Sequence, residues 1–491
     1  MLLAVPAGAI ARRAPNPGRR LRPAAFGAAG LLAVAALWPA RAAAHGLVGR
    51  AYLPVPTWLF AWAAGAVLLV SFLALPRLWR TPRLEHAVRT RLFALPRLLD
   101  PLCGALGIGM FTLVIAAGAA GSQIPAANLT PTAVFVLFWV AIPVLSALFG
   151  DVFRAFNPWR ALARAAAGAA TRVRGSARPI PAPLPYPTWL GRWPAVAGIF
   201  AFGWLELVFV GREHPATLAV LALAYACLQL VGMACFGIER WNERGDAFAV
   251  AFNLFSRLSP FEYRSGALWR RPPLAALADL RPLAGTATLL CTMIGVTTFD
   301  GFLNGPIWRS ASPSLQRALR DLGFSGTAAL ELVLTFGLLA SIAVCTALYR
   351  AGIAGMGIAG RAQPTRQLAG AFAHSLAPIA FGYLLAHYFS LLVTQGQATA
   401  YLISDPFGTG ANLFGTASLK INYSLLGAAA IWYVQVGALL GGHVSGLFLA
   451  HDRALVLYRD PAAAAESQRW MLAVMVTFTC LGLWLLSAVN T

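Results

Sequence analysis

The chain is poor in charge. Of its 491 residues 11% are charged, 17 are acidic, and Lys420 is the only lysine. A soluble globular protein carries about 25% charged residues. This scarcity, with 59% hydrophobic residues and a mean hydropathy of +0.68, defines an integral membrane protein. The apolar runs leave no loop long enough for a separate soluble domain, so the sequence reads as one polytopic domain. Metal-type cysteine spacing is absent too. Cys103, Cys227, Cys235, Cys291, Cys345 and Cys480 lie in or beside apolar runs, as core-packing thiols do. There is no GxxxxGK[ST], GxSxG, HExxH or CxxCH, which removes the phosphate-loop, serine-elbow, zincin and c-type haem signatures. The glycine-rich GIAGMGIAG (352–360) lacks the strand that a nucleotide-binding loop requires and fits helix packing or a turn.

What is present is arginine, placed unevenly. The net charge of +21 would suit nucleic acid, but the arginines sit in short segments beside apolar runs, the positive-inside pattern that sets membrane topology. Nucleic acid is therefore not an expected partner; the lipid bilayer is. Residues 1–44 have the form of a secretory signal: Arg12, Arg13, Arg19, Arg20 and Arg22, then a short apolar stretch, then Ala42-Ala43-Ala44 as a cleavage site. Cleavage there makes residues 45–491 the mature domain and exposes His45 on the outer face, where a terminal amine and imidazole together offer a metal grip or are simply solvated.

A span needs about 20 apolar residues. Ten runs qualify: 57–75, 104–122, 131–149, 193–210, 216–236, 284–299, 327–349, 367–394, 425–449 and 469–488, the sixth being the shortest. With the mature N-terminus outside, the segments 76–103, 150–192, 237–283, 350–366 and 450–468 fall inside and hold most of the arginine. The expected architecture is an all-α transmembrane bundle of about ten spans in a bacterial inner membrane. Two inner segments, GDVFRAFNPWRALAR (150–164) and GDAFAVAFNLFSRLSP (245–260), echo one another with one residue inserted. Arginine interleaved with aromatics predicts helices on the inner membrane surface; a transporter-like repeat is the alternative. PIPAPLPYPTW (179–189) predicts an extended linker, and the loop 404–424 a lid or a connector.

Four of the seven histidines fall between 374 and 451. An ionisable group within a span is costly unless it faces a cavity, a partner or a metal. At a rise of ~1.5 Å per residue, His374 and His443 fall at similar inner depth on antiparallel spans. They form a ligand pair for haem or copper, or else each is satisfied by a backbone carbonyl or by Ser375 or Ser445. His451, at the inner boundary, predicts a helix-end and headgroup anchor. His387 lies about 20 Å nearer the outside than His374, with Glu206, Asp300 and Glu331 in the outer halves of other spans. Carboxylate–histidine sets from facing helices build metal sites in bundles. A divalent metal on His387, Asp300 and Glu331 is thus expected, unless each carboxylate meets water or an arginine such as Arg212 or Arg309. His86 and His214 lie in loops.

The ordered pieces HGLVGRAYLPVPTWLFAW, GDVFRAFNPWRA, LAYACLQLVGMACFGIE, TTFDGF, AHYFSLLVTQGQ, GGHVSGLFLAHDRAL and SQRWMLAVM resemble the polytopic bacterial membrane proteins known as fenitrothion hydrolases, over nearly all of the mature chain. The resemblance implies hydrolysis of an organophosphate triester with release of a phenol. It carries no residue roles, and the HxHxDH and paired HxH patterns of soluble organophosphate hydrolases are absent. Three functions are compatible with the sequence. The first is a membrane-embedded hydrolase for a small apolar substrate, with Glu206, Asp300, Glu331 and His387 as catalytic groups around a metal. The second is a transporter or metal-handling permease; the third is a redox protein holding haem or copper on His374 and His443. The sequence does not specify a partner subunit.

Overall fold

The computed structural model describes residues 57–85, 87–175, 182–360, 364–458 and 460–489. The expected signal segment and His45 lie outside the described residues, as does His86. Of the described residues about 72% are helical. Seven helices are long and apolar enough to cross a membrane: α2 (Leu99–Ala120), α3 (Leu129–Phe149), α7 (Pro215–Phe236), α10 (Thr286–Leu303), α12 (Gly326–Gly360), α13 (Ala373–Gln395) and α14 (Ala428–Tyr458). The other three apolar runs are helical as well, as α1 (Thr57–Leu78), α6 (Trp193–Leu207) and α15 (Arg469–Val489). Leu69, Val70, Leu102, Val220, Leu228 and Phe336 are exposed along these helices. Such an apolar exterior fits acyl chains and would be unfavourable in water.

Two features depart from an all-α surface-helix picture. A small antiparallel sheet, ordered β1-β3-β2, joins β1 (Thr90–Ala94) to the hairpin of β2 (Phe261–Arg264) and β3 (Ala267–Arg270). These strands lie in the arginine-rich segments, where Arg89 and Arg271 pair with Glu262. The second departure concerns the echoing segments. The first forms α4 (Val152–Phe156) and α5 (Pro158–Val173). The second forms α8 (Ile238–Arg244), then α9 (Ala247–Ser256), in which every residue but Asn253 is buried. Helix α9 therefore lies inside the protein, not on its surface. A helix of ten residues whose only polar side chains are Asn253 and Ser256 has no polar side to turn outward.

The echo has a structural meaning. Asp151 caps α4, accepting from the Arg154 amide at 3.1 Å, and Asp246 caps α9, accepting from the Ala249 amide at 3.1 Å. Each segment's asparagine then crosses to the other segment's aspartate: Asn157 Nδ2 donates to Asp246 Oδ2 at 3.2 Å, and Asn253 Nδ2 to Asp151 Oδ2 at 2.7 Å. Exchange of this kind is the contact pattern of a two-fold relation. It continues into α6 and α10. Gly191 and Gly285 precede these helices with φ of +45° and +82°. A side chain on Gly191 would strike the Ala284 carbonyl, and one on Gly285 would press on Arg192 and Trp193. Gly191 and Gly285, Glu206 and Asp300, and Gly211 and Gly305 all share one offset of 94 positions.

Within α3, the stretch Ala133–Ala141 is wound as a π-helix. Pro143 has no N–H for the Trp139 carbonyl, and the Ile142 amide reaches back five residues to Leu137. Helices α13 and α14 approach closely because Gly382, Gly442 and Gly446 lie at their crossing. A Cβ at any of the three would come within 2.8 Å of a facing backbone carbonyl oxygen, the close approach that small residues permit between membrane helices.

His451 does not face headgroups. It is buried, with Nε2 against the Trp79 carbonyl at 3.0 Å and Nδ1 against the Gln468 amide at 3.2 Å. Neighbouring Asp452 accepts from Trp79 Nε1 and the Arg83 amide, while Arg453 pairs with Glu85. The helix runs on to Tyr458, so the triplet binds the chain after α1 and is not a helix terminus.

Two outcomes follow from these contacts. Asn157→Ala and Asn253→Ala should each lower unfolding free energy by about 1–3 kcal/mol, since each leaves a carboxylate oxygen short of a donor; thermal melts in detergent measure it. At the same end of the bundle, burial opposes ionisation of Glu239, but Arg160 and Arg154 outweigh it and hold the carboxyl below its usual 4.5. A depressed folded value stabilises above the unfolded value and is lost as pH falls through the folded one. Melting point should therefore fall more steeply below about pH 4.5 in the wild type than in Glu239→Gln.

Candidate functional site

Helices α6 and α10 leave the glycine junction at the arginine-rich end and finish at the opposite end of the bundle with Glu206 and Asp300. Counterparts in the 94-residue offset, these two carboxylates face α13, which supplies the neighbouring pair His387 and Tyr388. Tyr388 joins them, its hydroxyl lying 2.9 Å from Asp300 Oδ2 and 3.2 Å from Glu206 Oε1. His387 Nε2 lies 2.9 Å from the same Asp300 oxygen. The result is a continuous set, Glu206–Tyr388–Asp300–His387, drawn from three helices.

The surroundings are largely apolar. Tyr388 is buried, and the Trp139 indole from the π-wound stretch lies beside its hydroxyl. Glu206 Oε2 is buried without a hydrogen-bond partner. The His387 and Asp300 side chains keep 17% and 21% of their surface exposed and Glu206 is half-buried, so Tyr388 is the one fully buried member of the set. Arg212, in the loop after α6, is near enough to act electrostatically on both carboxylates. A cavity of about 10 Å³ lies against His387, Tyr383, Thr297, Gly301, Leu439 and Gly482; a single water needs about that space. A wider depression of about 550 Å³ opens at the arginine-rich end beside Leu184, Phe236 and Glu239 and touches none of the four residues.

Of the residues expected from sequence, the structure unites Glu206, Asp300 and His387. Glu331 stands apart: its Oε1 accepts from the Val210 amide at 3.1 Å and so caps the loop that follows α6. Among the described residues no three His, Cys, Asp or Glu gather as a metal-holding group. His374 and His443 are both buried on α13 and α14 but take different neighbours. His443 Nδ1 faces its own helix at the Leu439 carbonyl, 2.9 Å away. His374 faces the carbonyls of Ala371 and Leu449. With Gly446 against Ser375 and Gly442 against Pro378, the two imidazoles are offset by about a helical turn, ~5 Å. Tyr388 is not among the residues expected from sequence, although its position beside His387 is a signal that points to it.

No known family, curated protein or solved structure matches the chain. Fold and site together define a multi-pass helical membrane protein with a titratable set shared between two counterpart helices and a third.

Replacing Tyr388 with Phe removes the one donor among the described residues that reaches both carboxylates. That variant should unfold with about 1–3 kcal/mol less free energy, read by thermal melting. An unchanged melt would show that the tyrosine does not join them.

Proposed function

We propose that the protein is an inner-membrane permease whose transport cycle is coupled to protonation of Glu206, Asp300, Tyr388 and His387. The observation that carries this is the unbroken hydrogen-bonded set between two counterpart helices. Paired carboxylates at short range favour holding a proton between them. Chains of titratable groups inside spans mark proton routes, and sites at repeat interfaces organise many secondary transporters. Counting α1, α6 and α15 with the seven long helices gives ten spans. The positive-inside rule then turns the arginine-rich end to the cytoplasm and the carboxylate end outward, with the mature N-terminus outside.

A hydrolase is the second reading, and one observation favours it: the water-sized cavity beside His387, whose Nε2 is held by Asp300. A histidine oriented by a carboxylate beside a water is a general-base arrangement, and the resemblance to fenitrothion hydrolases supplies the substrate class, a small aryl phosphotriester. A metal-assisted form would use His387 and Asp300 and would require Glu331 to release the Val210 amide. Haem or copper on His374 and His443 would require a rearrangement of both imidazoles.

Sealed proteoliposomes holding a pH-sensitive dye should report proton entry under an imposed gradient. Glu206→Gln and Asp300→Asn should each reduce it about tenfold or more. Phenol release from an aryl phosphotriester without proton movement would transfer the assignment to the hydrolase.

A further inference from the structure

The set of four occupies one end of the bundle, yet a proton that crosses must travel further, and the groups below His387 are unusual. Tyr383 stands one helical turn from His387 on the same face of α13, and both line the water-sized cavity. Its hydroxyl is buried and has no hydrogen-bond partner. Beyond it lies His443, 0% exposed, with its ring centroid 6.5 Å from that of Tyr383. His443 Nδ1 is engaged by the Leu439 carbonyl, and its Nε2 has no partner. Further towards the arginine-rich end comes His374, 2% exposed and set against the carbonyls of Ala371 and Leu449.

Native interiors rarely leave polar atoms unpaired, because each costs about 1–3 kcal/mol. Two such atoms, the Tyr383 hydroxyl and His443 Nε2, follow one another on facing helices from the cavity inward. Phenylalanine would fill the place of Tyr383 without that cost. We propose that Tyr383 and His443 form an inward proton route that links the water-sized cavity beside His387 to the arginine-rich end, with His374 as its last station. The proposal rests on the proton-coupled function above. Each step moves one proton with charge conserved: a proton leaving His387 crosses a water in the cavity to the Tyr383 hydroxyl oxygen as the phenol's own proton moves on to His443 Nε2, and because His443 Nδ1 stays on the Leu439 carbonyl the same Nε2 releases it towards His374. Where the gap exceeds direct contact, one bridging water completes it.

Gly482 on α15 makes the route testable without touching a titratable group. A Cβ there would stand 2.3 Å from the Tyr383 hydroxyl oxygen, so Gly482→Ala must displace that hydroxyl. The experiment uses full-length protein in dye-loaded proteoliposomes, with infrared titration of the protonated carboxyl band as a separate readout of the four-residue set. Tyr383→Phe and Gly482→Ala should each slow proton entry about tenfold or more. Tyr383→Phe should melt no lower than the wild type, because the lost hydroxyl has no partner, and the carboxyl band should still titrate from the outer side in both variants. His443→Gln should match them in rate. If both Tyr383→Phe and Gly482→Ala conduct at the wild-type rate while Asp300→Asn does not, the route is overturned and the function stands. If the wild type moves no protons, both fall.

Discussion

The filling of the Asp246 carboxylate is the constraint on which the bundle depends. This side chain is 0% exposed and takes four donors: the Tyr225 hydroxyl and the Ala249 amide on one oxygen, Asn157 Nδ2 and Trp159 Nε1 on the other. A carboxylate away from water is tolerable only when its lone pairs are engaged. Meeting that demand fixes where α5, α7 and α9 stand relative to each other. Because Asn253 returns the same service to Asp151, the second segment is fixed on the first. The glycine junction of α6 and α10 is continuous with this arrangement, and the direction of those helices determines where Glu206 and Asp300 arrive.

The two ends of the molecule solve the same electrostatic difficulty differently. At the arginine-rich end, Asp246 is met by neutral donors and the glutamates by cations: Glu239 by Arg154 and Arg160, Glu262 by Arg89 and Arg271, Glu85 by Arg453. At the other end two acids meet with only a phenol and an imidazole between them. Ion pairs of the first kind hold a shape over a wide pH range. An arrangement of the second kind is sensitive to the presence of each proton, since its hydrogen bonds require donors that ionisation removes.

Much of this was legible in the sequence, and the failures share a cause. Hydropathy located the ten apolar runs because exclusion from water acts on the run as a whole. Helical rise gave depth, and depth correctly grouped Glu206, Asp300 and His387. Rise says nothing about direction around the helix axis, however. Glu331 therefore joined the set on paper while its side chain turned to the Val210 amide, and His374 and His443 were paired although their rings face different carbonyls. Tyr388 was passed over because a tyrosine in an apolar run is ordinarily packing. Strand β1 was hidden because its pairing partner is distant along the chain, Arg91 standing opposite Trp269; the β2–β3 hairpin is local, but strands of four residues are too short to show an alternation. Helix α9 was misjudged because a run of ten residues carries too few turns to reveal whether it has a polar face.

The counterparts Glu206 and Asp300 differ by one methylene, and their partners differ as well. Asp300 shares its oxygen with both His387 and Tyr388, whereas Glu206 has Tyr388 alone and keeps one oxygen bare. The paired contacts at the glycine junction carry α6 and α10 to one level, and the difference in side-chain length and partners makes the two acids unequal there. Under the proton-coupled function proposed above, a proton shared by the set would rest unequally on the two carboxyls.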